Sequence, residues 1–302
     1  MKKSSAGKSW VWAYFAFTFL WSWLFWVPTV LLGLNVHYWT TQVGFGLGGL
    51  GPPIFGAFFT YKEGGPKVFR DYLCRIWDWK NLNLFWLVMA LVMVPALTEV
   101  AGLIDILLGG QGIRMDPQAF HFASGLPVVL MVPVIVIFFL LFGPLPEEMG
   151  WRGYALDRLQ AIMGPWAGSL LLGFFWGLWH LPLFFMGGSF QNTLSIGSPG
   201  FWFFFAEVIS VSFLMTWIYN HTGRSILSAV LFHFACNMTG ETTIHTNRIE
   251  LIRVILCLMW IGIVAFWTKD RALGYRPLSD NPDSDQGGED GKQDFAPNFL
   301  TK

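Results

Sequence analysis

The stretch "PLPEEMGWRGYALDRLQ" (Pro144–Gln160) sets two adjacent acids, Glu147 and Glu148, directly after the hydrocarbon run "LPVVLMVPVIVIFFLLF" (Leu126–Phe142). An ionisable group at membrane depth costs about 2.5–3.5 kcal/mol on insertion scales, so each one requires a partner or a function. Pro146 suits the first position of a helix. Glu147 and Glu148 then fall in its first turn, where the helix dipole favours negative charge. Glu148 and Arg152 are four residues apart, share a face and can pair. Glu147 is turned about 100° away, without a local partner. This predicts a division of labour: Glu148 and Arg152 brace the structure, and Glu147 is left for chemistry. An interfacial helix with a capping acid and an ordinary ion pair would look the same, so the stretch is not diagnostic alone.

Two further polar sets interrupt apolar runs. "GFFWGLWHLPLFF" carries His180, with Trp176 one turn earlier on the same face. "VLFHFACNM" carries His233 and Asn237, four apart on one face. Taken as neutral hydrogen-bonding groups, His233 and Asn237 can hold a polarised carbonyl oxygen, as an oxyanion hole does. Either set can equally serve as a hydrogen-bonded link between helices. Glu207, in "FWFFFAEVISV", is a further buried acid: a partner for a neighbouring helix, a member of a proton path, or a cavity group. His37, His121, His221 and His245 fall in expected loops and are read as solvated.

Jointly the sets say more. Glu147 and His180 are 33 residues apart, and the turn pair Gly164-Pro165 lies midway. If both arms are antiparallel helices, each group stands about 24 Å from the turn at 1.5 Å per residue. A carboxylate and an imidazole would then face each other, with His233 reaching similar depth from a later helix. One conflict follows. If Leu126–Phe142 spans the bilayer and its helix simply continues, Glu147 emerges on one side while His180 nears the other. The prolines of "FGPLPEE" offer a reversal, with Pro146–Met163 returning as a short embedded arm, tolerated where it lines protein or a water-filled cavity.

The elements that must position these groups are membrane helices. The 302 residues are 54% hydrophobic, 18% aromatic and 13% charged, against about 25% charged in soluble domains. The fold class is all-α polytopic, with about eight transmembrane helices expected: Trp10–Gly33, Val43–Thr60, Leu84–Leu108, Leu126–Phe142, Trp166–Met186, Phe201–Tyr219, Ser225–Thr239 and Leu251–Trp267. The catalytic core falls around residues 126–240 of a membrane domain covering 1–269. Lys2, Lys3 and Lys8 precede the first span, and Lys62, Lys67, Arg70, Arg75 and Lys80 follow the second. The positive-inside bias therefore predicts a multi-pass protein with a cytoplasmic N-terminus. The basic, aromatic stretch "YKEGGPKVFRDYLCRIWDWKN" is expected along the cytoplasmic interface. Residues 270–302 read as a disordered, acidic cytoplasmic tail. Lys plus Arg balances Asp plus Glu at 19 each, and no basic stripe marks a nucleic-acid partner. Cys74, Cys236 and Cys257 are too scattered for a zinc ribbon or a disulfide framework.

The order E-E-x-x-x-R, x-x-x-H, H-x-x-x-N resembles the CAAX prenyl endopeptidase and bacteriocin-processing family (CPBP, or ABI) across roughly Leu126 to Gly240. "EEMGWRGYALDRLQ" is especially close to its prokaryotic form. The family's second motif usually reads F-x-x-x-H; here Trp176 stands at the Phe position. The resemblance implies an intramembrane endopeptidase with a helical core. Glu147 and His180 would activate water, His233 and Asn237 would stabilise the oxyanion, and Glu148 and Arg152 would be the structural pair. It also implies a lipid-embedded site acting on a peptide or lipidated protein substrate.

A carboxylate tuned by a low-dielectric setting is a competent general base, so no cofactor is expected. Zinc is the alternative, on a Glu147, His180, His233 set. H-E-x-x-H and G-x-S-x-G are both absent. The competing function is a non-proteolytic immunity or scaffold protein that keeps the fold. A transporter would show paired interrupted helices in two halves, and none is seen.

Overall fold

The computed structural model describes residues 6–116, 119–120, 125–268 and 272–275. The fold is all-helical. The helices are α1 (Ala6–Leu31), α2 (Trp39–Gly49), α3 (Gly51–Ile76), α4 (Leu84–Leu107), α5 (Val128–Leu141), α6 (Pro144–Gly150), α7 (Asp157–Trp179), α8 (Phe190–Thr193), α9 (Pro199–His221), α10 (Ile226–Thr242) and α11 (Asn247–Trp267). The strand pairing among the described residues is a two-residue antiparallel bridge, β1 (Arg114–Met115) with β2 (Thr243–Ile244), which ties the segment after α4 to the end of α10.

Six segments are long and apolar enough to cross a membrane: 10–31, 39–76, 84–107, 129–185, 199–221 and 247–267. The count of eight is not reached by that measure. The expected spans Leu126–Phe142 and Trp166–Met186 fall within the single stretch 129–185. The expected span Ser225–Thr239 corresponds to α10, whose 17 residues fall short of the roughly 20 that a crossing needs.

The region that carries the acids is bent three times. α5 stops at Leu141, and the break before α6 falls at Gly143 (φ −153°, ψ −88°), not at the prolines. α6 starts at Pro144, two residues earlier than the sequence suggests, and runs into a π-helical turn, Trp151–Leu156, before α7. Such turns are rare and recur at functional sites. Inside α7 the helix breaks at Gly164 (φ 79°, ψ 168°). That conformation is essentially open to glycine alone, and Pro165 restarts the helix without needing an amide partner. The chain folds back tightly: a Cβ on Gly168 would lie 3.2 Å from the amide nitrogen of Gln160. The two arms are therefore an antiparallel helical hairpin around Gly164-Pro165, as the turn pair predicts.

Small residues let neighbouring helices close on this hairpin. Ser169, Gly173 and Gly177 repeat every four residues along one face of α7, the small-xxx-small pattern of membrane helix contacts. A Cβ on Gly173 would meet the Ile209 backbone of α9 at 2.8 Å, and one on Gly177 the Phe205 ring at 2.9 Å. On the other side, a Cβ on Gly56 of α3 would lie 3.0 Å from the carbonyl of Met149. The acid-bearing helix is thus held from both flanks by backbone-level contact.

The basic stretch after the second span does more than lie at an interface. α3 breaks at Gly65 (φ 64°) ahead of Pro66. Its second arm buries Tyr72 and Arg75. The Tyr72 hydroxyl donates to the carbonyl of Met149 at 3.1 Å. Arg75 donates to Asp157 at 3.4 Å and to the Tyr219 hydroxyl at 2.8 Å, and Arg224 also pairs with Asp157. Of the expected tail, 272–275 are described: Ala272–Gly274 forms a 3-10 turn, and the Leu273 carbonyl accepts from Asn220 at 3.1 Å. The rest of that expectation lies outside the described residues, as do Lys2 and Lys3.

Candidate active site

The four groups marked as catalytic by the sequence come from α6, the end of α7 and the middle of α10. Glu147 is buried, and its Oε2 accepts a 2.7 Å hydrogen bond from the indole Nε1–H of Trp176. The sequence predicts no local partner for Glu147; its partner comes from the other arm of the hairpin, 29 residues away. Glu147 stands level with Trp176, and His180 follows one turn later.

His180, half buried, sets its Nδ1 2.8 Å from the carbonyl of Trp176. A carbonyl only accepts, so Nδ1 carries the proton and Nε2 keeps its lone pair. The imidazole lies within electrostatic reach of both Glu147 and His233, and its ring packs against Trp179 at 4.8 Å and Phe204 at 5.5 Å.

Glu148 and Arg152 pair as the spacing predicts, with one guanidinium nitrogen 3.0 and 2.9 Å from the two carboxylate oxygens, both side chains fully buried. Arg152 also donates to the Ser212 hydroxyl of α9 at 3.3 Å. Glu148 does more than brace: its Oε1 lies 2.9 Å from Nδ1 of His233. An arginine-paired carboxylate accepts only, so His233 is protonated on Nδ1 and, when neutral, turns a lone pair outward from Nε2. This corrects the picture of His233 as a neutral donor. Its ring meets Trp176 edge-to-face at 5.0 Å. Asn237, one turn further along α10, is half buried and makes no hydrogen bond to a described residue. Its Nδ2 would lie 3.2 Å from a Cβ on Gly143, so the amide is beside the α5–α6 break and the start of the acid-bearing helix.

The residue that sequence reasoning undervalued is Trp176. Its replacement of Phe suggests an altered groove; the structure puts its N–H on Glu147 instead. The signal in the sequence was the indole one turn before His180. Ser212, from α9, carried no signal at all.

Among the described residues, no group of three or more His, Cys, Asp or Glu side chains is arranged to hold a metal ion. The alternative zinc set Glu147, His180 and His233 is not assembled as a ligand cage. One carboxylate oxygen and both Nδ1 atoms are engaged elsewhere, which leaves Oε1 of Glu147 and the Nε2 atoms of His180 and His233 as the atoms that could face a metal.

Outside the site, Glu207 pairs with Arg253 of α11 at 2.6 Å, and Arg253 also reaches Glu250 at 2.5 Å. His245 joins this network through Glu250 at 2.7 Å. His221 sets Nδ1 2.8 Å from the Trp217 carbonyl, with its ring 5.0 Å from Trp86. Neither histidine is the solvated loop residue expected, because both are part-buried beside these partners. His37 is exposed, and His121 lies outside the described residues.

Comparison with known proteins follows the same residues. Residues 129–239 match the model of the type II CAAX prenyl endopeptidase Rce1-like family. The chain is 29% identical over 259 residues to "CAAX prenyl protease 2" of Methanococcus maripaludis, covering 84% of this chain and 92% of that protein. The ordered Glu147-Glu148-Arg152, His180 and His233-Asn237 motifs all lie within the matched residues, so the stretch that carries them is similar to the type II CAAX prenyl endopeptidase Rce1-like family.

Proposed function

We propose that this chain is an intramembrane endopeptidase that hydrolyses a peptide bond near the C-terminus of a membrane-associated protein, of the CAAX type named for its relative. The observation that carries the reading is the meeting of Glu147 and His180 on one residue, Trp176, inside a helical hairpin. Glu147 is buried and His180 half buried at this meeting point.

In this reading a water molecule lies between Oε1 of Glu147 and Nε2 of His180. Glu147 takes a proton as the water oxygen attacks the scissile carbonyl carbon. The new C–O bond leaves a negative oxygen, which the amide of Asn237 and the Nε2–H of His233 stabilise. His233 can donate there only with both ring nitrogens protonated, because its Nδ1 is already held by Glu148. The C–N bond then breaks, and the proton on Glu147 passes to the leaving amine. Glu148, Arg152 and Ser212 hold His233 in place and do not touch the substrate. The reaction as written uses the chain's own side chains and no metal.

The N-terminus is assigned to the cytoplasm on the basic residues Lys62, Lys67, Arg70 and Lys80 around the α3–α4 connection. The exposed apolar surface of α5, which includes Val129, Leu130, Ile137 and Phe138, suits a substrate anchored by a hydrocarbon chain.

The test is cleavage of a farnesylated C-terminal peptide by the purified protein, wild type against Glu147→Ala. Loss of about 10²–10⁴-fold in turnover is expected on removing a general base. Equal behaviour of the two proteins would favour a non-proteolytic immunity or scaffold role.

A further inference from the structure

One residue engages both halves of the proposed water site. The indole N–H of Trp176 binds Oε2 of Glu147 at 2.7 Å, and the carbonyl of the same residue accepts from His180 at 2.8 Å. Trp176 is only 4% exposed and cannot readily swing away. The Arg152 guanidinium lies 4.8 Å from its ring centroid, and the His233 ring meets it at 5.0 Å and 73°. The indole therefore touches the proposed base, the imidazole beyond it, and the ion pair that orients His233.

Resting on the reading of Glu147 as the base, we propose that Trp176 is a positioning residue for this reaction. Its N–H selects one rotamer of Glu147 and occupies Oε2, leaving Oε1 for the water. A carboxylate on a flexible stem visits several rotamers, and a charge-assisted hydrogen bond from a locked donor removes that freedom before substrate arrives. The main-chain link to His180 survives any side-chain change, so the indole N–H is a separable contribution. A phenylalanine at 176, the usual residue of the family motif, would lose this donor together with part of the ring volume, and the isostere below separates the two. The device belongs to this sequence rather than to the motif.

The experiment compares kcat and KM for a farnesylated peptide in the wild type, in Trp176→Phe, and in protein carrying benzothienylalanine at 176. That isostere has sulfur in place of the indole N–H and keeps the volume. Glu147→Ala is the reference, and thermal unfolding controls for folding. Expected is a kcat lower by about 10- to 100-fold in both variants, the loss of one hydrogen bond to a charged group. KM should stay within about twofold, because the bond acts on the base and not on substrate binding. An unaltered kcat in the isostere, or a change confined to KM, overturns the positioning role while Glu147→Ala remains dead. Full activity in Glu147→Ala overturns the catalytic reading, and this one with it.

Discussion

Nδ1 of His233 lies 2.9 Å from Oε1 of Glu148, and the same carboxylate is held by Arg152 at 2.9 Å. A buried acid is thus shared between a permanent cation on its own helix and an imidazole 85 residues further along the chain. The arrangement neutralises Glu148, fixes the tautomer of His233 and fastens α10 to α6.

Removing the acid should separate these roles. Glu148→Ala leaves the guanidinium of Arg152 buried without its counter-charge, which costs about 3–5 kcal/mol when one partner of a buried pair is lost. A marked fall in unfolding temperature is expected. Glu148→Gln keeps the shape and an acceptor for His233 but removes the negative charge from both of its hydrogen bonds. It should lose activity by about tenfold or more, the effect of weakening a hydrogen bond to a charged group, with a smaller loss of stability than Glu148→Ala. Equal stability loss in both variants would show that the charge is not what matters.

Asn237 offers the cleaner catalytic test, since it makes no hydrogen bond within the described structure and its removal strands no partner. Asn237→Ala should lower kcat by about 10²–10³-fold, the usual effect of deleting one oxyanion donor. Its unfolding temperature and KM should be close to wild type. Retained turnover would remove Asn237 from the proposed oxyanion site.

The hairpin itself can be probed at Gly164, whose φ of 79° and ψ of 168° no side chain tolerates easily. Gly164→Ala should cost about 1–3 kcal/mol. If the turn adjusts, the shift would slide Trp176 past Glu147, so activity should fall further than the stability loss alone explains. Measuring both in one membrane-mimetic preparation distinguishes strain from misalignment.

Treatment with a strong chelator addresses the reaction's chemistry. Turnover should persist after dialysis, with no stoichiometric zinc by elemental analysis. Loss of activity restored by zinc would reassign Glu147, His180 and His233 as ligands.

The apolar segments, the Glu148–Arg152 pair and the turn at Gly164-Pro165 were all legible in the sequence, because each depends on local spacing. Membrane spans are set by length and hydropathy, an i,i+4 pair by helical geometry, and a reversal by glycine and proline. The order of the motifs likewise pointed to the family before any coordinates. What spacing cannot encode is how much an irregular turn rotates and lengthens an arm. The arm that carries Glu147 contains the π-helical segment Trp151–Leu156, and Glu147 bonds the indole of Trp176 across the hairpin.

The sequence by itself therefore determined which groups are embedded in an apolar environment and which of them recur as an ordered set. Only the tertiary structure decided their partners. Glu147 with Trp176, Glu148 with His233, Arg152 with Ser212, and Glu207 with Arg253 are separated by 29, 85, 60 and 46 residues. In a low-dielectric interior most buried polar groups find a complement. Which one it finds depends on helix packing, set here by the small residues Gly56, Gly173 and Gly177, and not on any property of the residue alone.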